Sequence, residues 1–285
     1  MKTFLLLLVL GVSVVTNLSA QKEFTCSTLD SIKIVTILRE AKTDAGDSNR
    51  MIYFGKKFLG VPYVGHTLEE GDHEHLIINV HELDCTTFVE AVLALYLCDK
   101  YDRRTLQDYC HYLETVRYRN GQMGDYTSRL HYFTWWGEDN ESLGLVKSIS
   151  KPATPFSAIQ TVNIDYMSAN PQLYKQLKLH PEFVSVIKRF EDASQGQKFR
   201  YIPKSLLNGS PSHLADVHTG DIISIITNKA GLDTSHVGIV FWDGGKLHLM
   251  HASSLYKKVV MDTTTFYDYS QRQKSHLGIR VYRVL

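Results

Sequence analysis

Asp84-Cys85-Thr86-Thr87-Phe88-Val89-Glu90-Ala91-Val92-Leu93-Ala94-Leu95-Tyr96 is the stretch on which the fold turns. Phe88, Val89, Val92, Leu93, Leu95 and Tyr96 predict a strongly apolar helix. Asp84 stands where a cap belongs, able to accept from an unpaired first-turn N–H. Cys85 then opens the helix, where orphan N–H groups and the helix dipole favour negative charge. A thiol there is expected to have its pKa pulled from about 8.5 to below neutral, which makes it a nucleophile. An inert, packed cysteine is the plainer reading of the same position, so the rest of the chain has to decide.

Upstream, Ser27 to Glu40 carries Leu29, Ile32, Val35 and Leu38 at helical spacing, with Asp30 and Ser31 near its start as caps. A second helical pattern covers Asn49 to Leu59 and stops at Gly60, before Pro62, and Leu76 to Val80 reads as a strand. Downstream the texture changes. Asp221 to Ile226, His236 to Trp242, Leu247 to His251, Val259 to Met261 and Ile279 to Val284 are short and rich in β-branched residues, with Asp243-Gly244-Gly245 as a hairpin turn. Helices followed by an antiparallel sheet predict an α+β fold. The stretch from about 119 to 203, rich in Tyr, Asn and Ser with one helix from Pro181 to Asp192, reads as a large insertion in a single domain spanning 21–285.

The chain has 285 residues. Lys2, the apolar run Phe4 to Val15 and the small-residue end Leu18-Ser19-Ala20 have the layout of a secretory signal peptide over residues 1–20. Without it the balance is 30 basic against 30 acidic residues, which argues against a nucleic-acid partner. No second apolar stretch reaches membrane-spanning length, so the mature chain is expected to be exported and free of membrane, in the periplasm of a Gram-negative source. Its cysteines are Cys26, Cys85, Cys98 and Cys110. A disulfide among Cys26, Cys98 and Cys110 would leave one over, and no spacing is a zinc pattern.

The deciding residues are histidines. Thr234-Ser235-His236-Val237-Gly238-Ile239 begins a strand, and Gly238 leaves room for a close neighbour. Fifteen residues after His236 comes His251, on the partner strand of the predicted hairpin. A thiol–imidazole pair needs a third group to hold the second ring nitrogen, and adjacent antiparallel strands bring base and orienter side by side. Cys85, His236 and His251 thus form a nucleophile, base and orienter. His248 is three residues from His251 and faces the opposite side of a regular strand, where a surface position is expected. His66, His73, His75, His81 and His111 show no metal-ligand spacing, and no metal or other cofactor is expected.

Five pieces occur in order: Gly60-Val61-Pro62-Tyr63-Val64-Gly65, Asp84-Cys85-Thr86-Thr87-Phe88, Gly220-Asp221-Ile222-Ile223, His236-Val237-Gly238-Ile239 and His251-Ala252-Ser253-Ser254. Together they resemble the NlpC-type family of bacterial cell-wall cysteine hydrolases. The resemblance implies a papain-like α+β core, peptidoglycan peptides as substrate and no metal. It also implies Cys85 as nucleophile, His236 as base, His251 as third residue and Tyr63 beside the nucleophile, helping to hold an oxyanion or position substrate. The gap from Cys85 to His236 is longer than in compact members, Thr86-Thr87 replaces the commoner Ser-Gly, and the hairpin before His251 is longer. These departures match a branch resembling N-acetylmuramoyl-L-alanine amidases, which also carries the insertion holding Ser128-Arg129-Leu130-His131-Tyr132.

Within that branch Asp84, Ser128, Arg129, Leu130, His131, Tyr132 and Ser235 become candidate substrate-binding residues. Arg129 could grip a carboxylate or sugar oxygen bidentately, and Trp135 and Trp136 could pack on a sugar face. The expected partners are muropeptides, the glycan in ordinary or anhydro form. The rival readings are a γ-D-glutamyl endopeptidase of the same fold and a non-catalytic wall-binding module. A lipid acyltransferase finds no apolar or amphipathic surface element to support it.

Overall fold

The computed structural model describes residues 24–44 and 49–285. The predicted leader lies outside the described residues. In chain order the elements are β1 (Phe24–Cys26), α1 (Thr28–Thr43), α2 (Arg50–Lys56), β2 (Leu76–Ile78), α3 (Cys85–Lys100), α4 (Leu106–Arg117) and α5 (Phe133–Ser142). There follow β3 (Val146–Ile149), β4 (Ala158–Thr161), α6 (Tyr166–Ala169), α7 (Lys175–Leu179), α8 (Glu182–Ser194) and β5 (Lys198–Pro203). The chain closes with β6 (Ile222–Thr227), β7 (Thr234–Asp243), β8 (Lys246–Ser253), β9 (Lys258–Met261), α9 (Phe266–Gln271) and β10 (His276–Val284). The larger sheet is antiparallel in every pairing, in the order β4-β5-β10-β6-β7-β8-β9, with β3 also paired to β10. The α+β expectation holds.

Both faces of this sheet are buried, so its strands read as apolar runs with a division of labour between alternate residues. Ile222, Val237, Ile239 and Met250 join the core shared with α1 to α5, whereas Ile223, Ile225, Val240, Leu247 and Leu249 join a second core closed by Phe266. Helix α3 lies between the sheet and the other helices and is buried almost all round, with Phe88, Val89, Val92, Leu93, Ala94 and Leu95 sealed from solvent. Each such large apolar side chain contributes roughly 1.5–3 kcal/mol of transfer free energy. Asp243 pairs with Lys246 across Gly244 and Gly245, whose φ values of 52° and 73° are those a two-residue hairpin requires.

Two expectations need correction. Ser27, not Asp30 or Ser31, caps α1: its Oγ accepts from the Asp30 N–H at 3.0 Å, while the Asp30 carboxylate accepts from Val80 N–H at 2.8 Å. The 119–203 stretch contributes β3, β4 and β5 to the sheet and α5 to the core. Trp135 and Trp136 are buried there, the Trp135 indole N–H donating to Ser194 Oγ at 2.8 Å, so neither offers a face to a sugar. The four cysteines are free thiols.

Helices α3 and α4 are joined by a buried ion pair, Glu90 with Arg117 at 2.7 Å, and Arg117 also donates to the Ile77 carbonyl of β2. Removing one partner strands the other charge in an apolar surrounding. Arg117→Met is expected to lower the unfolding free energy by about 3–5 kcal/mol in urea titration, and Glu90→Leu added to it to recover most of that loss.

Candidate active site

Asp84 places Cys85. Its carboxylate accepts from the Thr87 N–H at 2.8 Å, and its own N–H donates to Thr87 Oγ1 at 2.9 Å, a reciprocal capping box that fixes the first turn of α3. Thr87 has a local purpose on this account, and the Asp84 carboxylate serves as the helix cap. Beside that turn runs β7, and the Val237 N–H points at the Cys85 sulfur.

The other half of the site follows from strand register. His236 and His251 lie on neighbouring strands β7 and β8, with His236 Nε2 2.6 Å from His251 Nδ1 and the rings nearly perpendicular. This contact needs Gly238: a Cβ there would come within 3.1 Å of the His251 Cβ and 3.0 Å of the Met250 carbonyl oxygen. His236 Nδ1 is then the ring nitrogen left for chemistry. Cys85 and His236 line one cleft of about 190 Å³.

Electrostatics corrects the expectation of a resting thiolate. Burial, with Asp84 adding to it, pushes the Cys85 thiol up to about 12, against the lowering effect of the Val237 N–H and the Thr86 hydroxyl. Burial, then His251 and His276, holds His236 well below 6.5. The pair therefore rests as neutral thiol and neutral imidazole. Tyr63 is half-buried on a segment bridged to Leu83, and burial together with Cys85 and Asp84 pushes its phenol up to about 12, so it keeps its proton.

The predicted substrate-binding residues divide. Leu130, His131, Tyr132 and Ser235 line the cleft with Cys85 and His236; Asp84, Ser128 and Arg129 do not. Arg129 is buried and consumed internally: it grips Glu74 bidentately at 3.0 and 2.6 Å, Glu69 at 2.9 Å and the Leu68 carbonyl at 3.1 Å. A guanidinium so engaged holds the 66–75 loop in place and has little left for a ligand. Ser128 Oγ closes a turn by donating to the Asp125 carbonyl and accepting from Gly124 N–H. Tyr132 offers the cleft its ring, since its hydroxyl donates to Glu191 at 2.7 Å and accepts from Met167 N–H at 3.0 Å. His131 donates from Nε2 to the Tyr126 carbonyl at 2.8 Å, and burial with Arg129 nearby holds it at about 3. His248 is buried, stacked on Phe241 with Nδ1 at the Asp262 and Thr264 carbonyls, and not the surface residue expected.

Several site residues escape sequence reasoning. Met167, Tyr174, Leu232, Asp233 and Thr234 complete the cleft wall, the first two arriving from the insertion without any local motif. Asp262 lies 3.9 Å from His251 Nε2. Its signal was available, because Val260 pairs with His251 and the residue two further on shares that face as a diagonal neighbour. Among the described residues no helix is long and apolar enough to cross a membrane, and no group of three or more His, Cys, Asp or Glu could hold a metal.

Comparison with known proteins places the chain in a family. Residues 53–279 match the family model described as AmiA-like, N-acetylmuramoyl-L-alanine amidase-like. An N-acetylmuramoyl-L-alanine amidase structure from Bacteroides uniformis is 40% identical, over 83% of this chain and 97% of that one, with a TM-score of 0.77. A Bacteroides fragilis structure with a provisional xylanase name is 42% identical, over 81% of this chain and 100% of that one, with a TM-score of 0.76. A Legionella pneumophila protein at 22% identity shares the fold, with a TM-score of 0.69 over 90% of this chain and 95% of that one. No curated protein matches the chain.

Buried histidines held neutral make stability fall in acid. The unfolded chain binds a proton at each near pH 6.5, whereas folded His131 and His236 do not until far lower, so below 6.5 protons favour the unfolded state. Each contributes about 1.4 kcal/mol per pH unit. His276, lowered to about 4 by burial with Lys204 and Lys229 nearby, adds to the fall, so the urea midpoint is expected to drop steeply between pH 6.5 and 4, and His131→Gln to remove about a third of this three-histidine slope.

Proposed function

Because the chain belongs to the AmiA-like family of N-acetylmuramoyl-L-alanine amidase-like proteins, we propose that its cleft hydrolyses the amide between N-acetylmuramic acid and L-alanine, with Cys85 as a papain-like nucleophile. The observation that carries the reading is that His236, which lines one cleft with Cys85, is held from behind by a 2.6 Å contact with buried His251. As the sulfur attacks the lactyl carbonyl, His236 takes the thiol proton at Nδ1, and the oxyanion forms beside the Cys85 N–H and the Tyr63 hydroxyl. The C–N bond breaks as the imidazolium returns that proton to the departing L-alanine amine. His236 then removes a proton from water, which attacks the thioester and releases the lactyl acid and the thiol. The transfer starts from a neutral pair, and the developing charges are met by the Val237 N–H at sulfur and by His251 at the ring.

Glycoside hydrolysis is disfavoured by the same cleft. It calls for two carboxyl groups flanking the bond, and of the lining residues only Asp233 carries one. That carboxylate is engaged, accepting from the Thr134 N–H at 2.6 Å and lying 3.8 Å from Arg280. An exported location belongs to the same proposal, since the wall lies outside the cytoplasmic membrane.

Mass analysis of purified muropeptides incubated with the protein tests the reading. Free peptide beginning at L-alanine together with peptide-free disaccharide is expected, and Cys85→Ala should lower kcat by at least about 10⁴-fold. Disaccharide still bearing L-Ala-D-Glu would replace the amidase with an endopeptidase. Unchanged turnover in Cys85→Ala would remove the cysteine mechanism, and no product at all would leave a wall-binding module.

A further inference from the structure

We propose that Asp262 is a positioning residue that fixes the direction of the proton chain through the two histidines, an inference that rests on Cys85 and His236 acting as above. His251 is sealed from solvent, and its Nε2 has no hydrogen-bond partner among the described residues. The Asp262 Oδ2 lies 3.9 Å from that nitrogen, itself buried. The other carboxylate oxygen is held in place, accepting from the Thr264 N–H at 2.8 Å with the Tyr256 hydroxyl 3.5 Å away. The Tyr269 ring stands edge-on to His251 and separates it from His276.

Two proton arrangements fit the 2.6 Å contact. In one, His236 carries its hydrogen on Nε2 and donates to His251 Nδ1, so that His236 Nδ1 is bare and can accept the Cys85 proton. In the other, His251 donates from Nδ1, His236 carries hydrogen on Nδ1, and no acceptor faces the thiol. Geometry between the rings does not choose, because either nitrogen can be the donor. The far side of His251 does. The productive arrangement puts a hydrogen on His251 Nε2, and an ionised carboxylate, which only accepts, meets it there. The unproductive one would leave a bare lone pair facing Asp262. As His236 gains the thiol proton, the same carboxylate is the nearby negative charge that offsets the imidazolium across His251.

Asp262→Asn keeps the shape and reverses the instruction. The Thr264 N–H needs an acceptor, so the amide oxygen takes that side and the NH₂ group faces His251 Nε2, favouring the unproductive arrangement. The alkylation rate of Cys85 by iodoacetamide at pH 7 and kcat on muropeptides are expected to fall by about 10³–10⁴-fold with KM little changed, by analogy with the carboxylate-to-amide change in a serine triad. Asp262→Ala, which supplies no wrong donor, should fall less, and Asp262→Glu should recover part of the loss. Nitrogen-15 spectra of histidine-labelled protein should place the His251 hydrogen on Nε2 in the unmodified chain and on Nδ1 in Asp262→Asn. Alkylation of Asp262→Asn within threefold of the unmodified chain would overturn the proposal. So would a His251 hydrogen on Nδ1 in the unmodified chain, which decides the matter if the variant fails to fold. Alkylation needs no substrate: Asp262-dependent labelling without muropeptide cleavage would sink the amidase reading and leave this one standing.

Discussion

The seating of the first turn of α3 against β7 is the constraint from which the site follows. It is held from both sides. On the helix side the Asp84–Thr87 capping box fixes where Cys85 begins, and on the sheet side the Val237 N–H meets its sulfur. Val237 is the residue after His236, so the packing of α3 on β7 brings Cys85 and His236 to one cleft. Behind it, Gly55 brings α2 close to β8: a Cβ there would come within 2.2 Å of the Met250 Cε methyl, which would have to shift. The close approach of helices to strands at Gly55, and of strand to strand at Gly238, turns sequence positions 85, 236 and 251 into one cluster.

A neutral resting pair is the chemical consequence of that burial. A thiolate beside Asp84 in a half-closed cleft would face a like charge and lack water, which is why the helix N-terminus does not win here. The cost is that thiolate must be generated during attack. The gain is that Cys85 and His236 present no net charge that a ligand in the cleft has to displace. The direction of proton flow then matters more than any single pKa, and it is set outside the Cys–His pair, by His251 and the carboxylate behind it.

Helix α3, the β6–β10 strands and the Cys85–His236–His251 cluster were legible because each depends on local pattern: an apolar run behind a cap, β-branched runs around a Gly-Gly turn, and two histidines on paired strands. What was misread depended on where polar groups find partners. Arg129 is an arginine in a polar segment, and nothing nearby announces that Glu69 and Glu74, some 55–60 residues earlier, will enclose it. Trp135 and Trp136 looked like a sugar platform for the same reason. Their neighbours in space, Ser194, Phe190 and Tyr282, are remote in sequence. His248 obeyed the alternation rule and still came out buried, since its face of β8, shared with Met250 and Ala252, packs into the helix-side core, where it stacks on Phe241.

The sheet's second core explains why Asp262 can matter at all. In a sheet with one wet face, a carboxylate just past β9 would be solvated and its pull on His251 screened. Here it is buried, and burial alone would raise its pKa. The nearby His251 ring and the Thr264 N–H outweigh that and hold it below the usual carboxylate range, so it stays charged in a place where charge is strongly felt. The insertion that adds β3, β4 and β5 to the sheet edge also closes the cleft with Met167 and Tyr174. The insertion thus shapes what the cleft can admit, while Asp262 stands on the other side of His251. Selectivity and activation are built on separate walls, and substitutions in one should leave the other intact.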